Sequence, residues 1–211
     1  MYVPSHFAWN DPAGFLAFCR DNSFATVITS GENGPEAQHL PLLIDAAPDG
    51  HGLVLHGHAA VGDPVWRAAS ALTVFHGPHA YISAAWFNEP DTVPTWNYLS
   101  LHASGPLTQI TDPAAVGALF RRLAGAVGDV LAHVWQAKLG ASTEAKLTAA
   151  IRWFRIDATQ ITAKAKLSQN NSPERRQRVI EQLALSADPQ TRAVGEAMTR
   201  TLQGLPVWPS A

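Results

Sequence analysis

The sequence predicts an α+β fold: a small, mainly antiparallel β-barrel with peripheral helices and a C-terminal helical appendage. Three observations carry this. About six stretches rich in β-branched and aromatic residues follow one another at short spacing, with turn signals between them. Asp-Pro pairs recur at Asp11-Pro12, Asp63-Pro64, Asp112-Pro113 and Asp188-Pro189, each reading as a helix start with Asp at the N-cap and Pro at the first helical position. The chain also changes character near Arg121. Thirteen Lys and Arg face seven acids beyond that point, whereas before it Arg20 and Arg67 alone face ten carboxylates.

In order, Tyr2–Phe7 reads as an extended arm and Asp11 opens a helix with Phe15, Leu16, Phe18 and Cys19 on its apolar face. Phe24–Ser30 alternates as a strand, and Gly31–Pro35 is a turn. Glu36–Asp45 reads as one strand whose Pro41 marks an edge or a bulge. Leu53–His58 is the next strand and Asp63–Ala69 a short helix. Ala71–His76 and Ala80–Trp86 read as two strands about a Gly77-Pro78 turn, and Thr95–Ile110 as a long strand after a Pro-rich loop. Asp112–Leu123, Val130–Leu139 and Ser142–Ala150 read as helices, and Trp153–Leu167 as one closing strand. Ser172-Pro173-Glu174 caps a helix to about Leu185, a second helix runs from Pro189 to Leu202, and the Pro-rich tail is irregular. The simplest partition is a barrel over 1–170 with an appendage over 171–211.

The 211 residues are 46% apolar, enough for a sizeable core, but only 15% charged, against a usual level of about 25%. Such a surface predicts a homo-oligomer. The single cysteine, Cys19, excludes a disulfide framework and a Cys-based zinc site and reads as a small buried hydrophobe. The opening residues lack a basic start and apolar stretch, and no run of about 20 apolar residues occurs, so the expected compartment is the cytoplasm and no membrane partner is expected.

The chemistry concentrates in Val74–Gly105, which holds His76, His79, His102, Tyr81, Trp86, Trp96 and Tyr98. Aromatics beside amides and imidazoles suit a flat, partly polar ligand, or equally a barrel core. His56 and His58 share one face of a strand, with His39 on a neighbouring one. They could ligate a metal, contact a phosphate, or serve only structural hydrogen bonds. No phosphate loop, dinucleotide fingerprint or serine-hydrolase elbow is present, and no catalytic pair is identified. The two C-terminal helices could be a helix-turn-helix meeting DNA through Arg175, Arg176, Arg178, Arg192 and Arg200, or a solvated hairpin. Lys164–Asn170 could grip a phosphate or a ring's polar edge, or carry no more than a surface lysine pair.

As a set, Met1–Pro4 with His6-Phe7, His39-Leu40-Pro41, Gly57-His58-Ala59, Phe75–Ser83, Val93–Tyr98 and Lys166–Asn170 resemble the PaiB-type FMN-binding family of negative transcriptional regulators. The resemblance spans nearly the whole chain. It implies the FMN-binding split barrel of pyridoxamine-phosphate oxidases, a homodimer with FMN in its interface. It implies backbone groups of His39, Leu40, Pro41 and Leu42 beside the isoalloxazine, and His56, Gly57, His58 and Ala59 near the phosphate. Trp96, Asn97 and Tyr98 would come from the partner chain, with Lys166, Ser168, Gln169 and Asn170 facing the same cleft. The sequence departs from the family at Asp63 and Asn171, where asparagine and arginine are expected. A flavin reductase or oxidase and a haem-binding barrel are the alternative readings.

Overall fold

A computed structural model describes residues 1–50, 52–126 and 140–209. The chain forms two compact units, one of Met1–Asn22, Phe75–His102 and Ile161–Ala211, the other of Ser23–Val74 and Ala103–Gln160. Among the described residues the fold is α+β with eight strands, and the hydrogen-bonded registers that define it are antiparallel.

In the second unit the strands are β1 (Phe24–Gly31), β2 (Gly34–Pro41), β3 (Leu43–Ala46), β4 (Leu53–Ala60) and β7 (Ile151–Ala158), joined by the start of β5 (Ser70–Ile82) and the end of β6 (Thr95–Ile110). Their order is β2-β1-β5 and β6-β7-β4-β3. Alternation in β1 buries Ala25, Val27 and Thr29, as its sequence requires. Helix α2 (Pro113–Ala126) lays Val116, Leu119, Phe120 and Leu123 over Leu43, Ile110 and Trp153. Helix α3 (Ala141–Ala150) leads directly into β7.

The first unit contains α1 (Pro12–Asp21), the rest of β5 and β6, β8 (Gln160–Lys166) and two C-terminal helices, α4 (Pro173–Ala184) and α5 (Pro189–Leu202). Strand β6 neighbours both β5 and β8. Trp9, Phe15 and Trp208 surround Phe18 or one another edge-to-face, with centroids 5.2 Å apart.

The helix starts are as the Asp-Pro pairs predict. Asp11 accepts from the Gly14 amide, Asp63 from Val65, Asp112 from Ala115, and Asp188 from Gln190 and Thr191. Each such cap stabilises its turn by about 1 kcal/mol. At Asp63, however, only a 3-10 turn over Pro64–Arg67 follows. A 3-10 turn at Ser5–Phe7 also interrupts the expected extended arm.

Four strand expectations are corrected. Glu36–Asp45 is two strands, because the chain changes partner: β2 pairs with β1, β3 with β4, and the Leu42 amide between them donates to Ser23 O at 2.9 Å. Pro41 ends β2, which lies at the edge of the strand order. Trp153–Leu167 likewise breaks at Thr159 into β7 and β8. Gly77-Pro78 is no turn but the interior of the single strand β5. A Cβ on Gly77 would lie 2.4 Å from the Phe18 ring, so the glycine answers close approach, not chain reversal. Trp86 falls in a 3-10 turn, Ala84–Phe87, after that strand. The expected helix Val130–Leu139 lies outside the described residues.

Candidate functional site

In the second unit the ladder joins the two segments that the sequence singled out. Leu43 pairs with His56, and Leu42 lies against Gly57, where a Cβ would sit 2.7 Å from its methyl and 2.5 Å from the Phe154 ring. His39 is exposed, its Nδ1 3.1 Å from the Thr26 hydroxyl; Leu40 and Pro41 are half-buried, and Leu42 and Ala59 buried.

His56 and His58 do share a face, as period two requires, but that face is covered. Trp153 is register partner to His58 and packs on it at 4.9 Å, with Phe120 of α2 5.3 Å from Trp153. His56 Nδ1 lies 3.7 Å from the Asp45 carboxylate, which Arg122 grips with two bonds of 2.7 and 2.8 Å. The neighbouring Arg155 bonds Asp157 at 2.6 Å. Burial holds both imidazoles below their ordinary pKa; at His56 the Asp45 charge pulls the other way. Both Nδ1 atoms are buried with no hydrogen-bond partner. Among the described residues, no group of three or more His, Cys, Asp or Glu is placed to hold a metal ion.

In the first unit β6 presents two different faces, because successive side chains point opposite ways. One carries Trp96 and Tyr98. Trp96 is 53% exposed and Tyr81 48%, with ring centroids 6.0 Å apart, and His79 lies 6.2 Å from Trp96 on the other side. With Met1, His76, Tyr98 and His102, Trp96 and His79 line an open concavity of about 460 Å³. Burial, then the chain's amino terminus and His76, pushes the His102 imidazole down.

The other face carries Thr95 and Asn97. Asn97 is fully buried: its amide stands 3.0 Å from the Ser168 hydroxyl and donates to the Met198 sulfur at 3.3 Å. Lys166 Nζ donates to Thr95 Oγ1 at 2.6 Å. Gln169 turns back on its own strand, accepting from the Leu167 amide and donating to Ala165 O. Asn170 is exposed and, with His6, Asp91, Thr95, Lys166 and Arg175, lines a polar cleft of about 350 Å³. So the expected site residues of this unit divide: Trp96 and Tyr98 border one concavity, Lys166, Ser168 and Asn170 the other, and Asn97 and Gln169 hold structure together.

Sequence reasoning grouped Tyr81 and His79 with Trp96, as the ring contacts bear out, but missed Thr95 and Arg175 as cleft walls. The β5–β6 and β6–β8 pairings set these neighbours, and no local pattern encodes them. The five C-terminal arginines all have protein partners. Arg175 and Arg178 pair with Glu89, and Arg176 is buried on Met198 O and the Thr201 hydroxyl. Arg192 bonds Ser186 O and Ala187 O, and Arg200 bonds Pro206 O.

The antiparallel strand arrangement defines a fold class, the split barrels. The flavocytochrome Anf3 of Azotobacter vinelandii has this fold, with a TM-score of 0.60 over 78% of this chain and 72% of its own at 14% identity. The FAD and heme binding protein of Mycobacterium smegmatis has it too, at 0.55, 77%, 75% and 20%. Within that class the chain belongs to the PaiB-type FMN-binding family: the family described as "Putative FMN-binding domain" matches residues 1–160. It is 33% identical over 207 residues to protease synthase and sporulation protein PAI 2 of Bacillus subtilis (strain 168), covering 96% of this chain and 99% of that protein. The resemblance carried by the sequence motifs is thus borne out.

The residues fit FMN unevenly. The shelf offers an exposed indole with flanking rings, which suits a flat tricycle. Around His56, by contrast, the guanidinium groups of Arg122 and Arg155 are each neutralised by an aspartate.

Proposed function

We propose that this chain is a cytoplasmic FMN-binding protein that works as a homodimer, in a PaiB-like regulatory role. The observation that carries the reading is the half-exposed Trp96, with the rings of Tyr81 and His79 near it. Exposed aromatic surface of this kind on a weakly charged chain calls for a cover. A flavin ring stacked on Trp96, closed over by a second copy contributing His39–Leu42 and His56–Ala59, supplies one. Bound FMN would furnish hydride-accepting chemistry; the chain's part is to stack the ring, orient it and exclude water.

Residues 1–170 form the flavin-binding barrel in this reading and 171–211 its helical appendage; the family match ending at residue 160 supports that division. A regulator reading DNA through α4 and α5 would first have to break the internal pairs of their arginines. Flavin, not DNA, is therefore the ligand we assign to this chain. No helix among the described residues is long and apolar enough to cross a membrane.

The test is an absorption spectrum of the purified protein before and after adding FMN, with sedimentation of both samples. A protein-bound flavin band on a dimer is expected. A monomer that takes up no flavin refutes the reading, and a Soret band on reconstitution with haem would favour the haem barrel in its place.

A further inference from the structure

The polar cleft on the Thr95/Asn97 face of β6 has no role in stacking a flavin on Trp96. Lys166 and Arg175 are the cations that line it, with the Asn170 amide, His6 and the Thr95 hydroxyl completing the wall. Lys166 Nζ reaches a neutral hydroxyl, at 2.6 Å, and among the described residues no carboxylate lies within ion-pair distance of it. An ammonium held in a recess against a neutral oxygen is a donor awaiting an acceptor.

The backbone around the recess is left-handed at several points, a conformation that Asn and Asp tolerate and that is costlier for Ser168. Three non-glycine residues adopt positive φ among the described residues: Asn88, Asp91 and Ser168, at 51°, 56° and 62°. Asp91 and Ser168 line the cleft, and Asn88 follows Phe87, which lines it too. Glycine would adopt these angles without cost. Side chains are kept there instead, and left-handed non-glycine residues cluster at ligand clamps. Buried Ser168 is fixed by its bond to Asn97, which sets the strand end from which Lys166 projects.

Arg175 is shared. Its Nε lies 2.9 Å from a Glu89 oxygen, its Nη1 bonds Asn171 Oδ1 at 3.3 Å, and its guanidinium lies 5.4 Å from the centre of the Phe87 ring. Glu89 also pairs with Arg178, so it keeps a cationic partner when Arg175 turns to a ligand. Asp91 is the one acid on the cleft wall among the described residues and would accept a hydrogen bond from the ligand's far end.

We propose that this cleft binds a small organic oxyanion, distinct from the flavin, with its phosphate or carboxylate on Lys166 and Arg175 and a hydroxyl or amine toward Asp91. A volume of about 350 Å³ suits such a molecule rather than a bare ion. Thr95 and Trp96 are consecutive on a strand, so cleft and shelf open on opposite faces of β6. The proposal therefore does not depend on the flavin reading.

Calorimetric titration of the full chain with glycerol phosphate and, separately, with succinate tests it, each with and without FMN. At least one anion is expected to bind whether or not FMN is present, and which one identifies the oxyanion. Lys166→Met should weaken that binding about tenfold or more, the effect of losing one charge-assisted bond. Asn170→Asp, at an exposed position, should weaken it by repulsion and serves if Lys166→Met fails to fold. Neither anion binding the wild type overturns the proposal. So does anion binding that both variants leave unchanged. A Lys166→Met variant that loses FMN affinity but not riboflavin affinity overturns it as well, because the cleft would then hold the flavin's own phosphate.

Discussion

The His56/His58 face and the Trp96 shelf are made of the same materials, imidazoles beside an indole on a strand, yet they differ in kind. On the first, His58 packs on Trp153, which is 1% exposed and covered by Phe120 and Leu119 of α2. On the second, Trp96 has His79 and Tyr81 at its edges and stands 53% exposed. Residue type does not separate a core histidine–tryptophan contact from a ligand shelf; what packs on top does. The covered cluster contributes stability and the open one is free to bind.

The contrast can be broken most forcefully at the two tryptophans. Trp153→Ala should destabilise the fold by roughly 3–5 kcal/mol, the cost of emptying a packed aromatic site. Trp96→Ala should change stability by no more than about 0.5 kcal/mol. Urea unfolding of both variants checks this, and comparable losses would erase the distinction between the two faces.

Next in size is Gly77→Ala. Its methyl would meet the Phe18 ring at 2.4 Å, and overpacking of that kind costs about 1–3 kcal/mol. Unchanged stability would restore the reading of Gly77-Pro78 as a flexible turn. The pH dependence sharpens the comparison further. Burial lowers the folded-state pKa of His56 and His58, so below about pH 6.5 the unfolded chain binds protons that the folded chain does not. Stability should be fully present above that pH and be lost as pH falls through the folded values. In His58→Leu the loss between pH of about 7 and about 5.5 should be smaller. An unaltered slope would mean that His58 is not sheltered. A small effect is also expected of Asp45→Asn: its pair with Arg122 is substantially exposed, which limits the pair to about 0–1 kcal/mol.

Much of this was legible in the residues. Alternation marked β1, β4 and β6, Asp-Pro marked the helix starts, and the spacing of His56 and His58 put them on one face. Continuous apolar alternation could not reveal that the chain switches partner at Leu42 or that the strand breaks at Thr159, since each half keeps the pattern. Gly77 was misread because the same dipeptide serves a turn and a close contact, and the contacting Phe18 is far away in sequence. The cover over His58 and the openness around Trp96 are likewise tertiary facts. Only the motif set pointed to the flavin, through family resemblance and not through any local rule.

The measurement that bears most directly on the shelf is an FMN titration of the wild type, Trp96→Ala and Trp208→Ala, followed by flavin fluorescence. Trp208 packs edge-to-face on Phe18 and donates to Asp21, so it controls for loss of an indole that is already engaged. Losing the Trp96 ring should weaken FMN about tenfold, while Trp208→Ala binds as the wild type does. Equal weakening in the two variants would contradict the assignment of the flavin to the open face of β6.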